Sequence, residues 1–339
     1  MLINFNSNKL NFMLILFFST LISISSNSWL GCWIGLEINL LSFIPIISNT
    51  KNLLTSEASL KYFLIQAIAS TNLLFFILLN LMNIKLYFYN NLLTILINSS
   101  LIMKMGAAPF HFWFPIVMEG LTWMNCFILM TWQKITPMIL LSYYYNFNFL
   151  IMIILITSLV GALGGLNQTS LRKLLAFSSI NHLGWMISAL LINYNTWNLY
   201  FLIYFVMMMM LCLLFFMMNI FYLNQLFFFK MNNMVKFFIF LNILSLGGLP
   251  PFLGFFPKWI IINFLINNNF YFLTFILIMS ALITLYFYIR ISYSAFLINY
   301  LKLKWMKFFI KNKLMIYSSI ISFISLNTLI ASTFVFYLI

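Results

Sequence analysis

Four ionisable side chains lie inside apolar stretches long enough to cross a membrane: Glu37, Lys104, Lys134 and Lys258. An ionisable group at the centre of a bilayer costs at least ~2.5 kcal/mol, and such groups usually face a bundle interior or a hydrated path. Burial and a nearby carboxylate act in opposite directions on the proton affinity of a lysine, so a lysine between these effects can exchange a proton near neutral pH. The four residues predict a row of proton-transfer groups. The alternative, a structural ion pair between Glu37 and one lysine, would leave two lysines unexplained.

Three further ionisable residues could extend this path. His111 lies beside Pro109, and His182 lies in a polar stretch of another apolar segment. Histidine titrates near physiological pH, although a single histidine in an apolar helix is often only hydrogen-bonded to a neighbour. Glu119 closes an apolar segment, where it is either a residue at which protons enter or a solvated acid of a loop. All three remain candidates for the proton path.

A sequence pattern recurs close to two of the lysines. The pattern G-x-x-P-F-x-x-x-F-P runs from Gly106 to Pro115 and again from Gly248 to Pro257. Proline removes a backbone donor and clashes with the preceding turn, so each copy predicts a helix that is interrupted within the membrane. Paired interruptions of this kind indicate inverted repeats in transporters and mark the transport site. The alternative is that the prolines only kink packing helices.

The composition predicts that the whole chain lies in a membrane. Of 339 residues, 64% are hydrophobic and 6% are charged, whereas a soluble globular chain carries about 25% charged residues. A span needs roughly 20 apolar residues, which predicts about eleven spans here. The segments are 8–25, 28–48, 58–82, 90–120, 123–145, 148–167, 172–192, 196–223, 235–266, 269–297 and 315–338. We predict an all-α polytopic membrane protein with a single membrane domain, 1–339, whose discontinuous fourth and ninth segments run in opposite directions.

The basic residues predict the orientation of the chain. If each segment crosses once, the Lys and Arg residues other than Lys104, Lys134 and Lys258 fall on the side of the N-terminus, except Lys85, which falls on the other side. Such loops stay on the matrix or cytoplasmic side. The net charge of +14 does not indicate nucleic-acid binding, because the basic residues are spread between apolar segments except at 302–313. The separated cysteines Cys32, Cys126 and Cys212 form no CxxC pair, which predicts that the chain holds no iron–sulfur or zinc site.

A set of short motifs between residues 25 and 295 resembles one known family. The motifs are SNSWLG (26–31), GLEIN (35–39), SFIP (42–45), EASLKYF (57–63), GAAPFHFW (106–113), EGLTW (119–123), GGLNQTSLRK (164–173), SINHLGW (179–185) and SLGGLPPF (245–252). They resemble the second subunit of mitochondrial NADH:ubiquinone oxidoreductase, complex I, of the insect type. The resemblance implies an antiporter-like subunit in the membrane arm of complex I, in the mitochondrial inner membrane.

The same resemblance implies roles for residues and partners. It places the proton-transfer groups at Glu37, Lys104, Lys134 and Lys258; sister subunits can carry glutamate at the last position. NADH, FMN, iron–sulfur clusters and ubiquinone would be bound by other subunits. The partners would be other core and accessory subunits of complex I. Larger bacterial relatives have three further N-terminal helices, so we expect phospholipids such as cardiolipin, or accessory subunits, to cover the flank that these helices would occupy.

Two other functions fit a polytopic chain with buried charges. A free-standing cation/proton antiporter that binds sodium would need several oxygen ligands and usually a pair of carboxylates in the membrane, but Glu37 is the only acid deep in a predicted segment. A structural subunit that has lost pumping would have no need of the row of four charges. The predicted function is therefore a proton path coupled to electron transfer from NADH to ubiquinone, with no redox centre of its own.

Overall fold

Helices form nearly all of the computed structural model, which describes residues 7–49, 52–82, 87–228 and 233–297. The helices are α1 Ser7–Ser25, α2 Trp29–Ile47, α3 Leu53–Met82, α4 Tyr87–Met105, α5 Trp113–Gly120, α6 Trp123–Met130, α7 Trp132–Tyr143, α8 Phe147–Gly164, α9 Leu171–Ile192, α10 Tyr194–Met218, α11 Leu223–Phe228, α12 Asn233–Gly247, α13 Phe255–Asn267 and α14 Tyr271–Leu297. Within these ranges the only β-structure is one isolated bridge, between Ser170 and Tyr222. The all-α prediction is confirmed.

The helices follow the predicted membrane segments. Each segment from 8–25 to 269–297 coincides with a helix or with consecutive helices. Among the described helices, seven are long and apolar enough to cross a membrane: α1, α2, α3, α8, α9, α10 and α14. The last predicted segment, 315–338, lies outside the described residues, so the count of eleven stays a prediction.

The chain divides into two compact units, residues 1–153 and 154–339; a single membrane domain stays a prediction. In the first unit α1 packs along α2, and α3 contacts α2, α4 and α5. The absence of a side chain at Gly35 lets α1 and α2 approach closely: a Cβ at this position would lie 2.7 Å from the Cβ of Ser23. Small residues allow helix backbones to approach in this way in membrane proteins.

In the second unit α9 is the central helix. It contacts α10, α13 and α14, and 83% of its apolar window is buried. A helix that is buried on all sides is normally apolar on all sides, but α9 buries Ser178, Ser179, Asn181 and His182 as well. The second unit therefore contains polar groups at its centre.

Two helices are interrupted where the repeated pattern predicts it. The chain leaves helix between α4 and α5, and again between α12 and α13. Gly106 and Gly248, which occupy the first position of the two copies, each follow the last residue of a helix with φ of +72° and +81°. Glycine adopts this left-handed conformation without steric cost and commonly ends helices. The prediction of two discontinuous helices is confirmed, and the pattern glycine has the same role in both.

A third interruption occurs at Thr131, between α6 and α7. We predicted one segment over 123–145, which the structure divides. The Thr131 amide and hydroxyl both donate to the carbonyl oxygen of Phe127, at 3.0 and 2.7 Å, a pairing that tends to bend helices. Pro137 also lacks the N–H that would bond the carbonyl of Gln133. The turn at Thr131 places Lys134 in the first turn of α7.

Candidate functional site

Lys104 and Lys134 line one cavity in the first unit. The cavity is small, with a volume of about 20 Å³, which is room for about one water molecule. Its lining residues are Leu36, Asn39, Leu40, Tyr62, Gln66, Lys104, Met105, Trp113, Phe114, Leu129, Gln133, Lys134, Thr136 and Pro137. Buried water requires room and two to four polar partners, and this wall supplies polar groups. The structure thus brings two of the predicted lysines to one polar space.

Lys104 lies in the last turn of α4, two residues before Gly106. The Nε2 of Gln66 donates to the carbonyl oxygen of Lys104 at 3.0 Å, which satisfies a carbonyl near the end of the helix. Glu37 on α2 is half-buried and is not among the lining residues of this cavity. No ion pair joins Glu37 to Lys104 in the described residues.

Lys134 is almost fully buried, with 1% of its surface exposed. Its Nζ lies 5.1 Å from the centre of the Phe114 ring, and the face of an aromatic ring attracts a cation. The N-terminus of α7 carries a partial positive charge, which opposes a positive charge on Lys134. Lys134 thus lies between an aromatic ring and the first turn of α7.

A short chain of polar side chains lies on the wall of the same cavity. Gln133 donates from Nε2 to Oδ1 of Asn39 at 2.9 Å. The Tyr62 hydroxyl donates to Oε1 of Gln133 at 3.5 Å, a long bond. Together with Gln66, these residues were not among the predicted site residues. The available signal was a polar side chain inside an apolar helix, but the sequence does not show which of those face the lysines.

Lys258 lies in the second unit, where it connects the two halves of the other interrupted helix. Its Nζ donates to the carbonyl oxygen of Gly247 at 3.0 Å. A Cβ at Gly248 would lie 2.9 Å from the same Nζ, so glycine leaves room for the ammonium group. The C-terminal carbonyls of a helix carry partial negative charge. The Lys258 side chain thus lies against the negative end of the α12 dipole and hydrogen-bonds one of its last carbonyls.

None of the three further candidates is among the lining residues of the lysine cavity. His111 is buried in the first interruption, with Nδ1 3.3 Å from the carbonyl oxygen of Pro109. Glu119 is half-buried in the last turn of α5. In the second unit His182 is buried on α9, with Nδ1 2.7 Å from the hydroxyl of Tyr200. The ring of Tyr204 also lies 5.2 Å from the His182 ring.

Tyr200→Phe tests whether His182 takes part in proton transfer. The change removes the hydroxyl beside Nδ1 and keeps the ring. We expect normal amounts of protein and a fall in proton transport of about tenfold or more, as for the loss of an acid–base partner. The measurement is proton transport in sealed membrane vesicles. Tyr194→Phe, at an exposed position of the same helix, is the control, and equal transport in both variants would show that the His182–Tyr200 bond is structural.

Sequence comparisons identify a family. The family model described as NADH:quinone oxidoreductase/Mrp antiporter, TM matches residues 26–284. A protein of Anopheles gambiae named NADH-ubiquinone oxidoreductase chain 2 is 55% identical over 330 residues, covering 96% of this chain and 97% of the relative. Proteins of the same name are 48% identical in Locusta migratoria, covering 97% of both chains, and 40% identical in Oryctolagus cuniculus, covering 86% of this chain and 88% of the relative.

Solved structures with the same fold include respiratory membrane complexes. A chain of respiratory complex I from Thermus thermophilus with bound aureothin has a TM-score of 0.82 at 21% identity and covers 95% of this chain and 77% of that chain. A chain of the Mrp complex from Dietzia sp. DQ12-45-1b has a TM-score of 0.73 at 18% identity and covers 83% of this chain and 59% of that chain. These likenesses show that the fold is antiporter-like. With the sequence matches, they show that the chain belongs to the NADH:quinone oxidoreductase/Mrp antiporter family and, within it, to the relatives named NADH-ubiquinone oxidoreductase chain 2.

Proposed function

We propose that the chain is a core membrane-arm subunit of respiratory complex I and provides a proton-translocation path coupled to electron transfer from NADH to ubiquinone. The observation that carries this proposal is the 55% identity to a chain 2 relative over nearly the full length of both proteins. The chain acts as part of a translocase. It carries out proton transfer and no redox step of its own.

The proton path uses Glu37, Lys104, Lys134 and Lys258. We infer that a change in the charge of Glu37 alters the proton affinity of Lys104, because a nearby carboxylate favours the ammonium form of a lysine. Lys104 and Lys134 face one cavity, in which water and the polar wall carry a proton between them. Lys258, in the second unit, is the fourth of these proton-transfer groups. His111, His182 and Glu119 are further candidates for this path.

The redox cofactors and the partners follow from the same proposal. NADH, FMN, the iron–sulfur clusters and ubiquinone bind to other subunits of the complex. In the part of the chain that the structure describes, no group of three His, Cys, Asp or Glu residues could hold a metal ion. The partners are the other core and accessory subunits of the membrane arm.

The protein lies in the mitochondrial inner membrane with its N-terminus on the matrix side. Outward-facing apolar side chains of α1, such as Phe18 and Leu21, are exposed in the chain alone. They suit the acyl chains of phospholipids such as cardiolipin, or an accessory subunit. Nucleic acid is not a partner.

A free-standing cation/proton antiporter is the second candidate function. It rests on the likeness to the Mrp complex, which at 18% identity concerns the fold alone. The predicted segments contain one deep carboxylate, Glu37, where a sodium site would usually need a pair.

A native gel of gently solubilised inner membrane separates the two functions. The gel is stained for NADH oxidation and probed for this chain, and a lane with a harsher detergent shows the position of the free subunit. We expect the chain to migrate with a large NADH-oxidising complex. A small band without NADH oxidation under gentle conditions would instead identify a free-standing antiporter.

A further inference from the structure

Asn98 is a fully buried polar residue whose side chain has no hydrogen-bond partner in the part of the chain that the structure describes. It lies in the middle of α4 with 0% of its surface exposed. Among the described residues, neither its Nδ2 nor its Oδ1 has a hydrogen-bond partner. An unsatisfied buried amide is costly, and folded proteins satisfy such groups with ordered water. The buried amide of Asn98 is therefore a candidate for binding water inside the bundle.

Asn98 belongs to a polar face of α4 that leads to the lysine cavity. Residues seven apart lie on the same face of a helix, as do residues three or four apart. Asn91, Thr94 and Asn98 have this spacing, and Met105, seven residues after Asn98, lines the cavity. Asn91 is exposed, whereas Thr94 and Asn98 are buried. One face of α4 thus carries polar side chains from its exposed beginning towards the cavity of Lys104 and Lys134.

The polar face is interrupted by one apolar step. Leu101 and Ile102 are buried on the same face between Asn98 and Met105, over about 10 Å of helix axis. On the cavity side of this step, the hydroxyl of Thr136 on α7 is also buried without a partner among the described residues, and α7 packs against α4. Apolar constrictions of this kind can control the passage of water by drying and wetting.

We propose that Asn98 binds water and that Asn91, Thr94 and Asn98 form a path along α4 for proton exchange between the cavity of Lys104 and Lys134 and the membrane surface where α4 begins. Each water on the path accepts a proton from one neighbour and donates one to the next, so no side chain of the path changes covalently. On the predicted topology this surface is the one opposite the matrix. The proposal rests on the proposed function for the use of the path.

Cysteine labelling tests whether water reaches Asn98. Asn98→Cys is compared with Ser100→Cys, which is buried on the other side of α4 and whose native hydroxyl bonds the carbonyl of Ile97. The probe is 2-aminoethyl methanethiosulfonate, applied from each side to membranes that contain the assembled complex. A thiol reacts as a solvated thiolate, so we expect position 98 to react at least about tenfold faster than position 100. The faster reaction should come from the surface where α4 begins.

The wild-type chain supplies the background for this labelling, because it contains the buried cysteines Cys32, Cys126 and Cys212. Labelling at position 98 that equals this background would overturn the proposal. Equal rates at positions 98 and 100, or faster labelling from the matrix side, would also overturn it.

Asn98→Leu tests whether the path conducts protons. Leucine has a similar shape without polar atoms, and replacing an unpartnered amide in this way is neutral or stabilising. We expect wild-type amounts of complex and a loss of the protons that this subunit moves per NADH oxidised. Asn98→Ser, which keeps a hydroxyl and leaves room for water, should restore transport, and Ser100→Ala should match the wild type.

Two results would overturn the inference from this experiment. Full transport by Asn98→Leu would show that protons do not use the path, and a loss of assembled complex would show that the amide has a structural partner. Lys104→Met distinguishes a failure of the α4 path from a failure of the proposed proton relay. If Lys104→Met stops transport while Asn98→Leu does not, the path is wrong and the relay stands; if both transport normally, the relay fails as well.

Discussion

Lys104→Met leaves the complex assembled but abolishes proton movement through this subunit. Methionine keeps the length and apolar stem of lysine and removes the group that carries the proton. Assembly should persist because the Gln66 side chain bonds the backbone carbonyl of residue 104, which the change retains. No direct ion pair with Glu37 is broken in the described residues, so no buried charge loses a contact partner, which is the costly outcome of breaking a pair.

The measurement is NADH-driven proton uptake by inverted inner-membrane vesicles, divided by the rate of NADH oxidation. The amount of complex on a native gel is measured in parallel. Lys61→Met is the matched control, because Lys61 is an exposed residue of α3 whose pairing with Glu57 is a surface salt bridge, and such pairs contribute little stability. Proton uptake by Lys104→Met at the wild-type ratio would remove Lys104 from the relay.

Gly254→Ala prevents the complex from accumulating. Gly254 lies just before α13, where the chain folds back on the end of α12. A Cβ at this position would overlap the carbonyl oxygen of Ser245, a backbone atom that cannot move aside without moving α12. The segment between α12 and α13 must therefore move away from Ser245. We expect this to reduce the stability of the fold by about 3 kcal/mol or more, the upper part of the range for overpacking.

Gly247→Ala is the control for assembly, because the nearest atom to its Cβ would be a side-chain atom, in the ring of Tyr288 at 3.3 Å, and not a backbone atom. The amount of complex on a native gel and its resistance to thermal inactivation report the effect. If Gly254→Ala accumulates and resists heat as well as Gly247→Ala does, the close approach of Gly254 to Ser245 is not needed for the fold.

The sequence predicted the features of this protein that depend on local signals. A lysine in an apolar run is visible without a structure, and so are the glycine and prolines of the repeated pattern. Lys104, Lys134 and Lys258 are therefore found buried as expected, and the helices around Gly106 and Gly248 are interrupted as expected.

Features that depend on packing between distant segments were not predicted. Gln66 meets Lys104 from 38 residues away, and Gln133 meets Asn39 from 94 residues away. Neither pairing follows from periodicity, because many polar side chains lie in these helices and the sequence does not show how the helices are rotated. The turn at Thr131 was missed for another reason: the proline that favours it, Pro137, is six residues further along the chain.

The contact between Lys258 and Gly247 would couple the loss of a proton from Lys258 to movement of α12 relative to α13. The ammonium group belongs to α13 and hydrogen-bonds the last residue of α12, so it links the two half-helices across the interruption. Loss of the proton would remove the charge that the helix end attracts and would weaken this link. The protonation of Lys258 and the rigidity of the segment between α12 and α13 would then change together. A displacement of either half-helix would change how readily Lys258 gives up its proton.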